Sequence, residues 1–129
     1  MKAARWAAGS SPISLVTEGA ASNVFIVHGG CIRTPPHSNH LLPGVTRDLL
    51  VELLRAEGME CREEPVSGAD LRAAGEIWIT GSTIGVAPVI RLDGRPVGTG
   101  RPGDCWRRAD ILYQDFKKAP RPLRAGNAL

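Results

Sequence analysis

The sequence predicts an α/β fold built on a mixed sheet (α+β), and three observations carry that expectation. Turn dipeptides sit between extended apolar runs at Gly29-Gly30 and Asp93-Gly94, as hairpins require. Two stretches, beginning near Val45 and near Asp104, repeat apolar residues at helical spacing. Extended and helical segments then alternate along the chain without an internal repeat.

In chain order, SNVFIVH and CIRT flank Gly29-Gly30, so 22–34 is a β-hairpin. From Pro43-Gly44 onward, Val45, Leu49, Leu50, Leu53 and Leu54 form one helical face, while Arg47, Asp48, Glu52 and Arg55 take the other and Gly58 ends the run. MECREEP alternates as a short strand. SGADLRAAG is a short helix with Ser67 as N-cap and Asp70 completing a capping box. EIWIT is a buried strand, and VAPVIRLDGRPVG folds back on itself at Asp93-Gly94, with Pro88 and Pro96 at edge or irregular positions. The last helix, Asp104 to Lys118, lines up Trp106, Ala109, Leu112, Tyr113 and Phe116. Residues 1–12 and 119–129 carry no such pattern and are expected to be disordered, leaving 13–118 as one domain.

Composition removes several classes of function. With 43% hydrophobic and 22% charged residues among 129, the chain has the make-up of a globular domain. A net charge of +3, with arginines scattered and few aromatics, gives no basic or base-stacking surface for nucleic acid. Cys31, Cys61 and Cys105 are odd in number and widely spaced, with no CxxC, which fits reduced thiols in a cytoplasmic protein rather than disulfides or zinc. No metal site is expected. No run approaches the roughly 18 apolar residues of a membrane span, and no secretory h-region is present.

Three segments stand at the ends of rigid elements: TEGAASN (17–23), LPGVTR (42–47) and ITGSTIG (79–85). The helix starting at Val45 offers N–H groups without intrahelical partners and the positive end of its dipole, and Thr46 adds a hydroxyl. Gly81 lets backbone approach a ligand, and Ser82 and Thr83 add donors. Together these can hold one phosphate.

The order of these segments resembles the C-terminal domain of the class IV, fold-type IV, pyridoxal-phosphate-dependent aminotransferases. That family opens the domain with EGxxSN, starts a helix with LxGxTR, and follows a strand EVxxT with a GT, SS or GS turn; here they stand as EGAASN, LPGVTR and EIWITGST. A fourth segment, 88–118, looks most like the D-amino-acid aminotransferase branch. The resemblance implies the C-terminal large domain of the D-amino-acid aminotransferase-like fold, pyridoxal 5'-phosphate as cofactor, and transamination between amino acids and 2-oxo acids in a homodimeric enzyme. It also implies roles for matching residues. Glu18 would face the pyridine nitrogen and keep it protonated, so that the ring accepts electrons from the substrate. Val45 and Thr46, with Gly81 and Ser82, would bind the phosphate, and Ser22 and Asn23 would support the ring. The Thr46 and Ser82 hydroxyls are then expected within about 5–7 Å of each other.

The sequence departs from the family in two ways. The lysine that forms the internal aldimine lies roughly thirty residues before the matched glutamate. Only Lys2, Lys117 and Lys118 are present, and none matches. The N-terminal domain that grips the substrate has no counterpart either. This chain is therefore expected to be a fragment, inactive alone, with cofactor binding weak or lost and no catalytic residue of its own; a separately encoded N-terminal half would be a partner. Gly81 and Ile84-Gly85 also differ from the SST-x-E turn of the D-amino-acid branch, which leaves branched-chain aminotransferase and aminodeoxychorismate lyase as alternatives within the family; a non-catalytic vitamin-B6-binding module is the alternative from outside it.

Overall fold

In a computed structural model, residues 4–6, 23–36, 44–81, 84–92 and 94–119 are described. Their strands are β1 (Ala4–Trp6), β2 (Asn23–His28), β3 (Cys31–Thr34), β4 (Cys61–Glu63), β5 (Glu76–Gly81), β6 (Gly85–Leu92) and β7 (Arg95–Pro96). The helices are α1 (Val45–Ala56), α2 (Gly68–Ala73) and α3 (Asp104–Lys118). The strands form one sheet in the order β1-β6-β5-β2-β3-β4, with β7 folded onto β6. Pairing is mixed: β1 runs parallel to β6 and β3 parallel to β4, and the other neighbours are antiparallel. The expected class is present, including both hairpins, and Gly29 and Gly30 take φ of 60° and 80° as a two-residue turn demands.

Alternation along the strands divides the core between the two faces of the sheet. Phe25 and Val27 of β2 and Trp78 of β5 point to one face, where they pack with Leu50, Val51 and Leu54 of α1 and with Trp106, Ala109 and Tyr113 of α3. The Phe25 and Trp78 rings stack there at 5.5 Å. Val24 and Ile26 of β2 and Ile77 of β5 point the other way, onto Leu71 of α2, Val66, Ala74 and Val97. Burying a large apolar side chain on either face contributes about 1.5–3 kcal/mol. The sheet is therefore held by both faces, and its central strands are fixed in place.

Local details follow the sequence in most places. Ser67 Oγ accepts from the Asp70 N–H at 3.0 Å and Asp70 Oδ2 from the Ser67 N–H at 2.9 Å, the expected capping box. Two differences stand out. Residues 4–6 form β1, where the sequence carries no strand pattern; the pairing partner, β6, supplies what local sequence does not. The expected faces of α1 also need correction at the first turn. Val45 is 83% exposed and Arg47 only 3% exposed, because Arg47 finds acceptors inside: Pro35 O at 2.9 Å and Glu63 Oε2 at 2.7 Å. No helix among the described residues is long and apolar enough to cross a membrane.

Candidate functional site

The N-cap of α1 is Gly44, in extended conformation and without a side-chain cap. The first intrahelical bond runs from Asp48 N–H to Gly44 O at 2.9 Å, so the N–H groups of Val45, Thr46 and Arg47 precede the helical ladder. Gly44 is required for a second reason: a Cβ there would overlap Asn23 Oδ1 and come within 2.9 Å of Arg47 Cβ. The start of α1 therefore lies directly against the start of β2.

That contact locates β5 as well. Asn23 is registered opposite Thr80, two residues along each strand from the stacked pair Phe25 and Trp78. By alternation, Asn23 and Thr80 project from the same face as that pair, the face α1 covers. Gly81 follows at the end of β5, paired with Gly85 where β6 begins. Three sequence segments thus meet at one end of the sheet: Asn23, the helix start Val45-Thr46, and the end of β5 at Thr80-Gly81. Thr46 and Asn23 are both buried. Glu18, Ser22 and Ser82 lie outside the described residues, and with Ser82 so does the expected spacing of its hydroxyl from Thr46.

The arrangement fits an anion on chemical grounds. Thr80 is fully buried, and among the described residues its Oγ1 is the buried side-chain polar atom without a hydrogen-bond partner. Arg47, in the first turn of the helix, adds positive charge shared with Asp48 and Glu63. A phosphate at this point would meet helix N–H groups, the dipole and threonine hydroxyls.

Among the described residues, the lysines and the cysteines lie on elements other than α1, β2 and β5, and the histidine lies at the opposite end of β2 from Asn23. His28 is an exposed residue at the end of β2, and Lys117 and Lys118 close α3. The cysteines are free thiols; burial pushes Cys61 up to about 11 and raises Cys105 and Cys31 as well, so none is an activated nucleophile. Sequence reasoning misses two positioning groups. It places Arg47 on the solvent face because charged residues usually lie there, and Glu63, the partner of Arg47, is remote in sequence. It reads Glu76 only as a strand residue, yet the Glu76 carboxylate accepts from the Cys105 and Trp106 N–H groups at 3.1 and 2.9 Å and from Trp78 Nε1 at 3.0 Å, capping α3 from β5.

Residues 7–92 match the family model described as Amino-transferase class IV. The chain is 36% identical over 102 residues to a putative branched-chain-amino-acid aminotransferase of Methanocaldococcus jannaschii, covering 79% of this chain and 35% of that one. It is 39% identical over 98 residues to the branched-chain-amino-acid aminotransferase of Escherichia coli (strain K12), covering 76% and 32%. Among solved structures, it superposes on the T.th. branched-chain amino acid aminotransferase complexed with N-(5'-phosphopyridoxyl)-L-glutamate with a TM-score of 0.74 at 32% identity, covering 78% of this chain and 34% of that one. An aminotransferase from Brucella abortus bound to the cofactor PLP gives a TM-score of 0.72 at 37% identity, covering 76% and 34%. The chain spans about a third of the length of these relatives.

Proposed function

The chain belongs to the class IV aminotransferases, and from that premise we propose that it is the part of a pyridoxal-phosphate-dependent transaminase that holds the cofactor. The observation that carries this reading is the junction of the uncapped α1 start with Asn23 and the end of β5. When bound, pyridoxal phosphate supplies the electron sink that lets an amino acid release its Cα proton. The chain's own part is to bind and orient. The N–H groups at Val45 and Thr46 and the Thr46 hydroxyl would take the phosphate, and by the family resemblance Gly81 and Ser82 would add to the cradle. By the family resemblance, Glu18 would hold the ring nitrogen protonated, and Ser22 and Asn23 would support the ring. No proton transfer is assigned to a residue of this chain, and the amino group that holds the cofactor covalently is proposed to lie outside residues 7–92.

For substrate we favour a branched-chain amino acid and its 2-oxo acid, because three of the relatives described above carry that name. The D-amino-acid branch is the second reading. Its support is the segment 88–118, most of which lies beyond the matched residues 7–92. The family's homodimer and a cytoplasmic location belong to the same proposal.

The phosphate site is tested by titrating the chain with pyridoxamine 5'-phosphate and, in parallel, with pyridoxamine. The amine avoids the unselective reaction of an aldehyde with exposed lysines. The phosphorylated compound should bind in the high micromolar to millimolar range, about −4 to −6 kcal/mol, and the unphosphorylated one markedly more weakly. Equal affinity for the two would count against the site.

A further inference from the structure

Among the described residues, two buried threonine hydroxyls, those of Thr34 and Thr80, lie in the sheet, and the fold treats them differently. Thr34 Oγ1 in β3 donates to Val24 O at 2.7 Å and is satisfied within the protein. Thr80 Oγ1 in β5 is as completely buried and has no partner among the described residues. An unpaired buried hydroxyl costs stability, since it gives up hydrogen bonds to water and gains none. Valine has the same shape, the same β-branching and a high strand propensity, so for the fold alone it would serve better at this position.

The direction of the side chain indicates what the hydroxyl is for. Thr80 projects on the α1 face, opposite Asn23 in the β2–β5 register, and Asn23 lies against Gly44, the N-cap of a twelve-residue helix with no side-chain cap. The hydroxyl and the first-turn N–H groups of Val45 and Thr46, which precede the helical ladder, therefore border the same space. Resting on the phosphate-site reading above, we infer that Thr80 is a further binding residue of that site, its O–H donating to an oxygen of a phosphate monoester seated at the α1 start. The threonine is unsatisfied in the ligand-free chain because its acceptor is the ligand.

Thr80→Val and Thr80→Ser separate this role from a structural one. Thermal melts of the ligand-free chain should give Thr80→Val a melting temperature equal to or above the parent's. Titration with pyridoxamine 5'-phosphate should show Thr80→Val weakened about tenfold, as expected for a lost hydrogen bond to a charged group. Its affinity for pyridoxamine should be unchanged, and Thr80→Ser, which keeps the hydroxyl, should stay within about twofold of the parent. A lower melting temperature for Thr80→Val would mean the hydroxyl has a structural partner and would overturn the inference. Undiminished affinity in Thr80→Val, with the parent chain still preferring the phosphorylated ligand, would overturn it and leave the phosphate site standing. A parent chain without that preference would sink the site, and this role with it.

Discussion

A helix start binds a foreign anion only if the protein does not fill it first, and Gly44, as the N-cap of α1, brings no side-chain cap of its own. Serine, threonine or aspartate at an N-cap turns its own oxygen onto the N–H groups of the first turn; glycine cannot, and it also makes room for Asn23. Thr46 then offers the one side-chain hydroxyl of the first turn. Thr46→Ala should weaken pyridoxamine 5'-phosphate binding by about 1–2 kcal/mol, the value of a hydrogen bond to a charged acceptor, with little change in the denaturation midpoint of the ligand-free chain. A matched loss of stability and affinity would instead assign Thr46 to the fold. The sequence pattern points to Val45, Thr46 and Gly81 because phosphate chemistry has local signatures, namely an uncapped helix start and a glycine after a strand. It cannot point to Thr80. A threonine inside a strand looks like any β-branched strand former until pairing shows which face it takes and that no described neighbour accepts its proton.

Among the elements, β5 does the most to organise the molecule. It lies between β6 and β2, stacks Trp78 on Phe25, carries Thr80 toward the α1 start at one end, and at the other uses Glu76 to cap α3. Helix α3 has glycine at its own N-cap and depends on this remote carboxylate for two of its first N–H groups. Glu76→Ala leaves those two donors and the Trp78 indole N–H without their acceptor. It should lower stability by about 2–4 kcal/mol, at 1–3 kcal/mol for each poorly rehydrated group, measured as a shift in the urea midpoint. A shift of only a few tenths would show that water replaces the carboxylate. Both hairpins, α1 and the Ser67–Asp70 capping box were legible because their signals lie within a few residues of one another. The strand order, the recruitment of β1 beside β6, the inward turn of Arg47 and the Glu76 cap were not, since each depends on partners brought together only by the tertiary fold.

At the scale of the whole molecule, the sheet converts separation in sequence into proximity. Residues 23, 44–46 and 80–81 converge because β2 pairs with β5 and α1 packs over both. The match over 7–92 contains all three segments, so the site belongs to the part of the chain whose ancestry is established, whereas α3 lies beyond it. The most direct measurement is a backbone amide map by ¹H–¹⁵N NMR during titration with pyridoxamine 5'-phosphate. The largest shifts should fall together on Val45, Thr46, Arg47 and the Thr80-Gly81 end of β5, following one binding curve. Shifts confined to exposed arginines on β6 and β7, or perturbation of the α1 start without the end of β5, would contradict a shared phosphate site.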